Sequence, residues 1–315
     1  IHMKKKIEII EVGPRDGFQS VKSDCCLIST EEKLTVIDAL IDAGVRHMEF
    51  TSFVSPKAIP QLADSAEVTR ASLAKHSDKD LFALVPNLRG AQNAYALGLR
   101  KVCYVVSLSK SHNKANINRT HEQSLEAYQE IRRELPDLDI IVDLATAFGC
   151  PFEGKYEEPE RAVDFLKDYV DTGMNTCCLC DTIGIADPAQ VRRLITAIQA
   201  AYPNLELMVH FHDTRGLGMV NTLTAIDLGL TKVQSALGGL GGCPFAPGAS
   251  GNLSTEDLVW MLNEMGYDTG ISFSKLLAAA KQQSPALPGQ YSGHHICIQQ
   301  GAPCQAWLHV RFTER

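Results

Sequence analysis

The strongest constraint on this chain is an alternation. Eight short runs rich in Val, Ile and Phe, at residues 6–12, 47–53, 80–86, 101–108, 139–148, 175–182, 205–213 and 232–240, are separated by stretches with helical spacing. Those stretches are 29–43, 58–74, 89–97, 120–135, 159–172, 188–201 and 216–228. Short apolar runs bounded by turn residues suit strands buried on both faces, and strands that alternate with helices build a parallel sheet. Eight such units in succession predict a single α/β domain, a (β/α)8 TIM barrel. A doubly wound sheet is the rival, but it more often carries a Gly-rich turn after the first strand, and none is present. Two further helices, 254–265 and 272–283, form a short C-terminal helical extension. The expected division is a barrel domain over 4–285 and a tail over 286–315.

Local signals agree with the alternation. Ser29-Thr30-Glu31-Glu32 is a capping box. Asp187-Pro188 places an N-cap before a first-turn proline. Helices stop at Ala43-Gly44, Leu97-Gly98, Thr172-Gly173 and Leu228-Gly229, each a few residues before the next strand.

Composition narrows the function classes. A length of 315 residues fits two average domains or one barrel with an extension. With 30 Lys+Arg against 37 Asp+Glu the net charge is -7, which gives no general attraction to nucleic acid or an anionic membrane. No run reaches the roughly 18 apolar residues that a membrane span needs. Ile1-His2-Met3 reads as a cloning remnant, and Glu8 and Glu11 break any signal-like apolar core. The ten cysteines are therefore read as reduced thiols of a cytoplasmic protein.

A barrel places its active site at the C-terminal ends of its strands. Read there, the strands leave Arg15 and Asp16 after the first, Glu49 on the second, Asp143 on the fifth and Asp181 on the sixth. The seventh carries His210 and His212, which share one face because they lie two apart. Two imidazoles with a carboxylate suit a divalent cation; two hydrogen-bonded histidines are the plainer alternative. Arg15 beside Asp16 is either a turn ion pair or a guanidinium that stabilises developing negative charge. The stretch 238–248 holds five glycines around Cys243, either a flexible loop or a mobile lid bearing one thiol. Asn252 adds a possible amide oxygen for a metal. Cys177, Cys178 and Cys180 share a strand and lack a second pair at zinc-finger spacing, so packing is their expected role.

Taken in order, Glu11-Val12-Gly13-Pro14-Arg15-Asp16-Gly17-Phe18-Gln19, residues 51–57, Asp181-Thr182-Ile183-Gly184, His210-Phe211-His212-Asp213-Thr214 and residues 239–244 with Gly251-Asn252 resemble the 3-hydroxy-3-methylglutaryl-CoA lyase family. The resemblance covers roughly residues 7–285. It implies a barrel that binds Mg²⁺ or Mn²⁺ through Asp16, His210, His212 and Asn252. It implies catalytic roles for Arg15, Glu49, Asp181, His210 and the lid residue Cys243, with Asp181 and His210 as candidate bases. Lys22 and Gln19 fall near the CoA region, and Lys110, Lys114 and Arg119 are further groups for a polyanionic acyl-CoA thioester. A homodimer or larger homo-oligomer is expected. The implied reaction is retro-Claisen cleavage of a 3-hydroxyacyl-CoA to acetyl-CoA and a keto acid. Alternatives are a relative acting on citramalyl-CoA or a longer-branched thioester, a Claisen-type synthase, an aldolase, and a non-enzymatic metal or acyl-CoA binding protein. Phe18, Phe50, Asp143, Cys178 and Cys180 depart from the family pattern, which places the change on the acyl-binding wall rather than on the chemistry.

Overall fold

The computed structural model describes residues 5–242 and 251–298. Eight parallel strands close into a barrel. They are β1 (Glu8–Glu11), β2 (His47–Ser52), β3 (Asp80–Leu84), β4 (Lys101–Ser107), β5 (Asp139–Ala145), β6 (Thr176–Asp181), β7 (Glu206–Phe211) and β8 (Lys232–Ser235). Closure is the parallel pairing of β1 with β8, which sets Glu8 beside Lys232 and Glu11 beside Ser235. The helices are α1 (Thr30–Asp42), α2 (Ser65–Lys75), α3 (Leu88–Ala96), α4 (Lys110–Ile117), α5 (His121–Glu134), α6 (Glu160–Asp171), α7 (Pro188–Ala201), α8 (Gly218–Asp227), α9 (Thr255–Glu264) and α10 (Phe273–Ala286). A two-stranded hairpin, Gly149–Cys150 with Gly154–Lys155, sits between β5 and α6.

Two cores follow from the strand period of two. Ile9, Val102, Tyr104, Ile140, Val142, Cys177, Leu179 and Val209 face the helices in one large cluster. Their neighbours Ile10, Cys103, Ile141, Cys178, Cys180 and Met208 join Phe82, Val12 and Ala236 in a second cluster that fills the barrel. Packing is thus one role of the strand cysteines.

The expected elements are present, with shifted ends. The segment expected as strand 139–148 stops at Ala145 because Thr146 turns to φ 57°. That segment 232–240 stops at Ser235, where Gly238 and Gly239 take φ 69° and 66° in a tight turn. Helix α2 starts at Ser65 rather than 58: Pro60 lacks an N–H and constrains Ile59, and a 3-10 turn over Pro60–Leu62 intervenes. Both capping features hold: Ser29 and Glu32 exchange bonds, and Asp187 accepts from the Gln190 N–H.

The described part of the tail folds back onto the barrel mouth. The Gly293 N–H donates to the Gly238 carbonyl at 3.0 Å, and the Ser292 hydroxyl to the Asn252 carbonyl at 2.6 Å. Asp257 accepts from the backbone N–H groups of His294 and His295, and both imidazoles lie beside it.

Candidate active site

The site begins where β1 ends. One turn of π-helix, Gly13–Gly17, follows the strand, and the Val12 carbonyl accepts from the N–H of both Arg15 and Asp16. This turn directs both side chains into the barrel mouth. Arg15 meets Glu49 of β2 at two points, Nε to Oε1 at 2.8 Å and Nη2 to Oε2 at 2.9 Å. Its Nη1 donates to Asp16 Oδ1 at 2.6 Å. The guanidinium is buried; its two carboxylate partners outweigh the burial and hold it charged. Burial pushes the Glu49 carboxyl up while Arg15 pulls it down, and both of its oxygens accept from the guanidinium.

Asp16 lies with His210 and His212, all three offering ligand atoms within 4.8 Å of one another. Burial opposes its ionisation, but Arg15, followed by His210, His212 and the Asn252 amide, brings it down to about 2. Burial lowers both imidazoles, His212 to about 4, so both are neutral and able to coordinate. His210 Nδ1 sits 2.9 Å from Gln234 Oε1 of β8, which leaves Nε2 facing the cavity.

Asn252 arrives from the far side of the loop after β8, bridged antiparallel to His212. Its Nδ2 donates to Asp16 Oδ2 at 2.8 Å and to the Leu240 carbonyl at 3.1 Å. Glycines make this crossing feasible: a Cβ on Gly241 would lie 2.6 Å from Asn252 Nδ2, and one on Gly251 would lie 2.3 Å from the Gly241 backbone. Asn252 Oδ1 and His212 Nδ1 are buried without a hydrogen-bond partner. Unpartnered acceptors beside an ionised carboxylate and neutral imidazoles are a donor set that fits a hard divalent cation.

A cavity of about 520 Å³ opens over these groups. Arg15, Asp16, His210 and His212 form its floor with Asp143, Cys180 and Gln234, while Gln19, Ser55, Asn87, His112 and Arg119 lie among its walls. Of the residues that depart from the family pattern, only Asp143 and Cys180 line it. Phe18 packs on Leu240 outside the strands, and Phe50 lies in the helix-facing core.

The chain aligns with the HMGL-like family model over residues 6–282. It is 40% identical over 279 residues to hydroxymethylglutaryl-CoA lyase YngG of Bacillus subtilis, covering 88% of this chain and 92% of the relative. Against the mitochondrial hydroxymethylglutaryl-CoA lyase of Homo sapiens it is also 40% identical over 279 residues, 88% of this chain and 84% of that one. The structure superposes with a TM-score of 0.85 on an HMG-CoA lyase from Acinetobacter baumannii in complex with coenzyme A and 3-methylmalate. That pair shares 39% identity and covers 92% of this chain and 93% of the other. This chain belongs to the HMGL-like family.

Within this HMGL-like chain the remaining candidate residues fall in different places. Asp181 does not line the cavity: its two oxygens accept the N–H groups of Ile185 and Ala186 at 2.9 and 3.0 Å. Burial raises its carboxyl to about 6. It fixes the turn after β6 and, in this geometry, does not face the cavity as a base. Glu49 likewise acts through Arg15 and is not among the lining residues. Lys22 is exposed in the turn before α1 and stands outside the cavity, whereas Gln19 and Arg119 line it. Lys110 and Lys114 are exposed on α4, whose residues Asn116 and Ile117 reach the cavity rim. Cys243 lies outside the described residues.

Sequence reasoning missed two contributors. Gln234 orients His210, and its only sequence signal is a buried amide between Val233 and Ser235 on a strand where polar residues are already common. Glu11 is the second: its Oε1 accepts from the Gly13 and Leu237 N–H groups and its Oε2 from the Thr255 hydroxyl. It thereby joins the Arg15 turn to the loop that leads towards Asn252. Burial raises Glu11 to about 7.

Proposed function

We propose that this chain is a divalent-metal-dependent carbon–carbon lyase that cleaves 3-hydroxy-3-methylglutaryl-CoA, or a close 3-hydroxyacyl-CoA, to acetyl-CoA and a keto acid. One observation carries the reading. The barrel mouth gathers a charged guanidinium, an ionised Asp16, two neutral imidazoles and an unpartnered Asn252 amide oxygen at the floor of one cavity. Asp16, His210, His212 and Asn252 are the residues that would hold Mg²⁺ or Mn²⁺. When bound, the cation supplies Lewis-acid polarisation of substrate oxygens.

The chain's own groups supply the rest. Arg15, fixed by Glu49, aims its remaining N–H groups at the cavity, where they stabilise charge developing on the thioester oxygen as the C–C bond breaks. Gln234 holds the His210 ring, so its one remaining nitrogen serves either as a cation ligand or, with Asp16, His212 and Asn252 holding the cation without it, as the acceptor for the substrate hydroxyl proton. The keto acid departs as the hydroxyl carbon becomes a carbonyl, and the electron pair passes to the thioester enolate. Cys243 is the proposed donor that protonates the enolate carbon. Gln19 and Arg119 on the walls, with Lys110 and Lys114 beyond the rim, receive the CoA moiety. The eight free thiols among the described residues suit a reducing compartment, and the cytoplasm is proposed.

The test is a product assay with purified protein and Mg²⁺ or Mn²⁺. Acetyl-CoA and acetoacetate are expected from 3-hydroxy-3-methylglutaryl-CoA, with turnover abolished by EDTA and restored by Mg²⁺. Absence of any cleavage across a panel of 3-hydroxyacyl-CoA thioesters overturns the reading.

A further inference from the structure

At the floor of the active-site cavity lies a second cluster of ligand groups that the lyase reading does not use. Cys178 and Cys180 are two apart on β6 and so share the inner face of the barrel. Their sulfurs stand 3.9 Å apart. Asp143 of β5 is paired in register with Cys178, and its carboxylate lies with both sulfurs inside a 4.8 Å group.

The geometry separates this group from ordinary core packing. Zn–S bonds of about 2.3 Å at a tetrahedral angle put two sulfurs about 3.8 Å apart. The Cys178–Cys180 separation matches that edge. Asp143 is only 4% exposed; the thiols of Cys103 and Cys178 are the donors beside its carboxylate, and Oδ1 has no other partner among the described residues. A buried carboxylate oxygen with no donor stronger than a thiol is costly unless a cation or proton occupies the space in front of it. Its Oδ2 is occupied: Cys103 Sγ donates to it at 2.9 Å, which is too close for both atoms to share one tetrahedral ion. Cys103 therefore orients the carboxylate and leaves Oδ1 for a ligand. Glu49 is close by, but Arg15 occupies both of its oxygens. Asp143 and Cys180 line the cavity, so an ion has a path in and a position for a water.

We propose that Asp143, Cys178 and Cys180 form a binding site for a thiophilic d¹⁰ cation, Zn²⁺, distinct from the Asp16–His210–His212 centre. Coordination releases the two thiol protons to solvent. Two thiolates and one carboxylate then carry three negative charges against two on the ion, and the remaining charge faces Arg15. Soft sulfur ligands exclude Mg²⁺ from this position, whereas the carboxylate, imidazoles and amide of the centre above suit it. The proposal does not depend on the lyase reading.

The experiment titrates Cd²⁺, a spectroscopic stand-in for Zn²⁺, into the full chain in saturating Mg²⁺ and follows the thiolate-to-metal charge-transfer absorbance. One ion per chain with this band is expected. Asp143→Asn should weaken it at least tenfold, and Cys178→Ser/Cys180→Ser should abolish it. Cys25→Ser/Cys26→Ser, which removes an adjacent pair outside the barrel, should leave it intact. A wild-type protein without the band, or a band that survives in Cys178→Ser/Cys180→Ser, overturns the site. X-ray absorption of the Zn²⁺-loaded wild type removes any dependence on the variants' folding. Two sulfur neighbours at about 2.3 Å are expected, and a shell of nitrogen and oxygen alone overturns it.

Discussion

At the scale of single residues, the barrel mouth is organised by Arg15. A lysine keeps the charge but loses the planar fork, so it cannot meet both Glu49 oxygens and still present N–H groups to the cavity. Arg15→Lys is expected to lower kcat by about 10²–10³-fold, the loss typical of one transition-state donor, with a much smaller change in KM. Steady-state kinetics on the cleaved thioester check this; an equal loss confined to KM speaks against a transition-state role. His210 raises a different question. Its Nδ1 is engaged by Gln234, so its single free nitrogen cannot hold a cation and accept a proton at the same moment. His212→Ala is expected to weaken Mn²⁺ binding, because the ring lies with Asp16 at the centre of the donor set. His210→Ala separates the roles: weakened Mn²⁺ titration makes it a ligand, and intact titration with lost turnover makes it the base. The Asp16–His210–His212 triad was legible because strand periodicity alone puts His210 and His212 on one face. The roles of Glu49 and Asp181 were not, since the partners that occupy them, Arg15 and the backbone of residues 185–186, depend on turn geometry that residue types do not encode.

At the scale of elements, the seam between β1 and β8 carries both closure and site. Glu11 spans it, accepting from Gly13, Leu237 and Thr255. Burial raises its folded pKa from 4.5 to about 7. A carboxyl raised on folding favours the protonated native state, so its stabilising contribution is complete below about pH 4.5 and is lost as pH rises through 7. Over that window the loss is on the order of 3 kcal/mol. Glu11→Gln keeps an acceptor for the two N–H groups and meets the Thr255 hydroxyl with its amide. It should remove this contribution to the pH dependence of urea unfolding between pH 5 and 7; an unchanged slope refutes the protonated native state. Elements also show where pattern reading stops. Helix α4 escaped notice because Lys110-Ser111-His112-Asn113-Lys114 has no apolar period. It is held instead by the Ser109 cap and by Asn113, which accepts from the Ser107 N–H. The contact of Ser292 with the Asn252 carbonyl joins residues 40 apart, with nothing local to announce it.

At the scale of the whole molecule, the alternation of eight strands and their helices was enough to specify a closed barrel, because strands buried on both faces leave few other ways to cover their edges. What alternation does not specify is how the proposed metal centre couples to the fold. Its donors come from β1's turn, β7 and the segment after β8, so an ion there fastens the seam from three sides. A ligand that binds only the folded chain adds RT ln(1 + [L]/Kd), about 2.7 kcal/mol at one hundred times Kd. Unfolding entropy scales with length, and for a barrel of this size the gain translates into a rise in Tm of roughly 4–5 °C. Mg²⁺ or Mn²⁺ at that excess should therefore raise Tm by this amount over an EDTA-treated sample, while far-ultraviolet circular dichroism at 25 °C stays the same. The apo barrel is expected to keep its fold because its hydrophobic cores, between strands and helices and inside the strands, are built without the metal donors. His212→Ala should lose most of the Mg²⁺-dependent rise. An equal rise in that variant would place the stabilising ion elsewhere in the molecule.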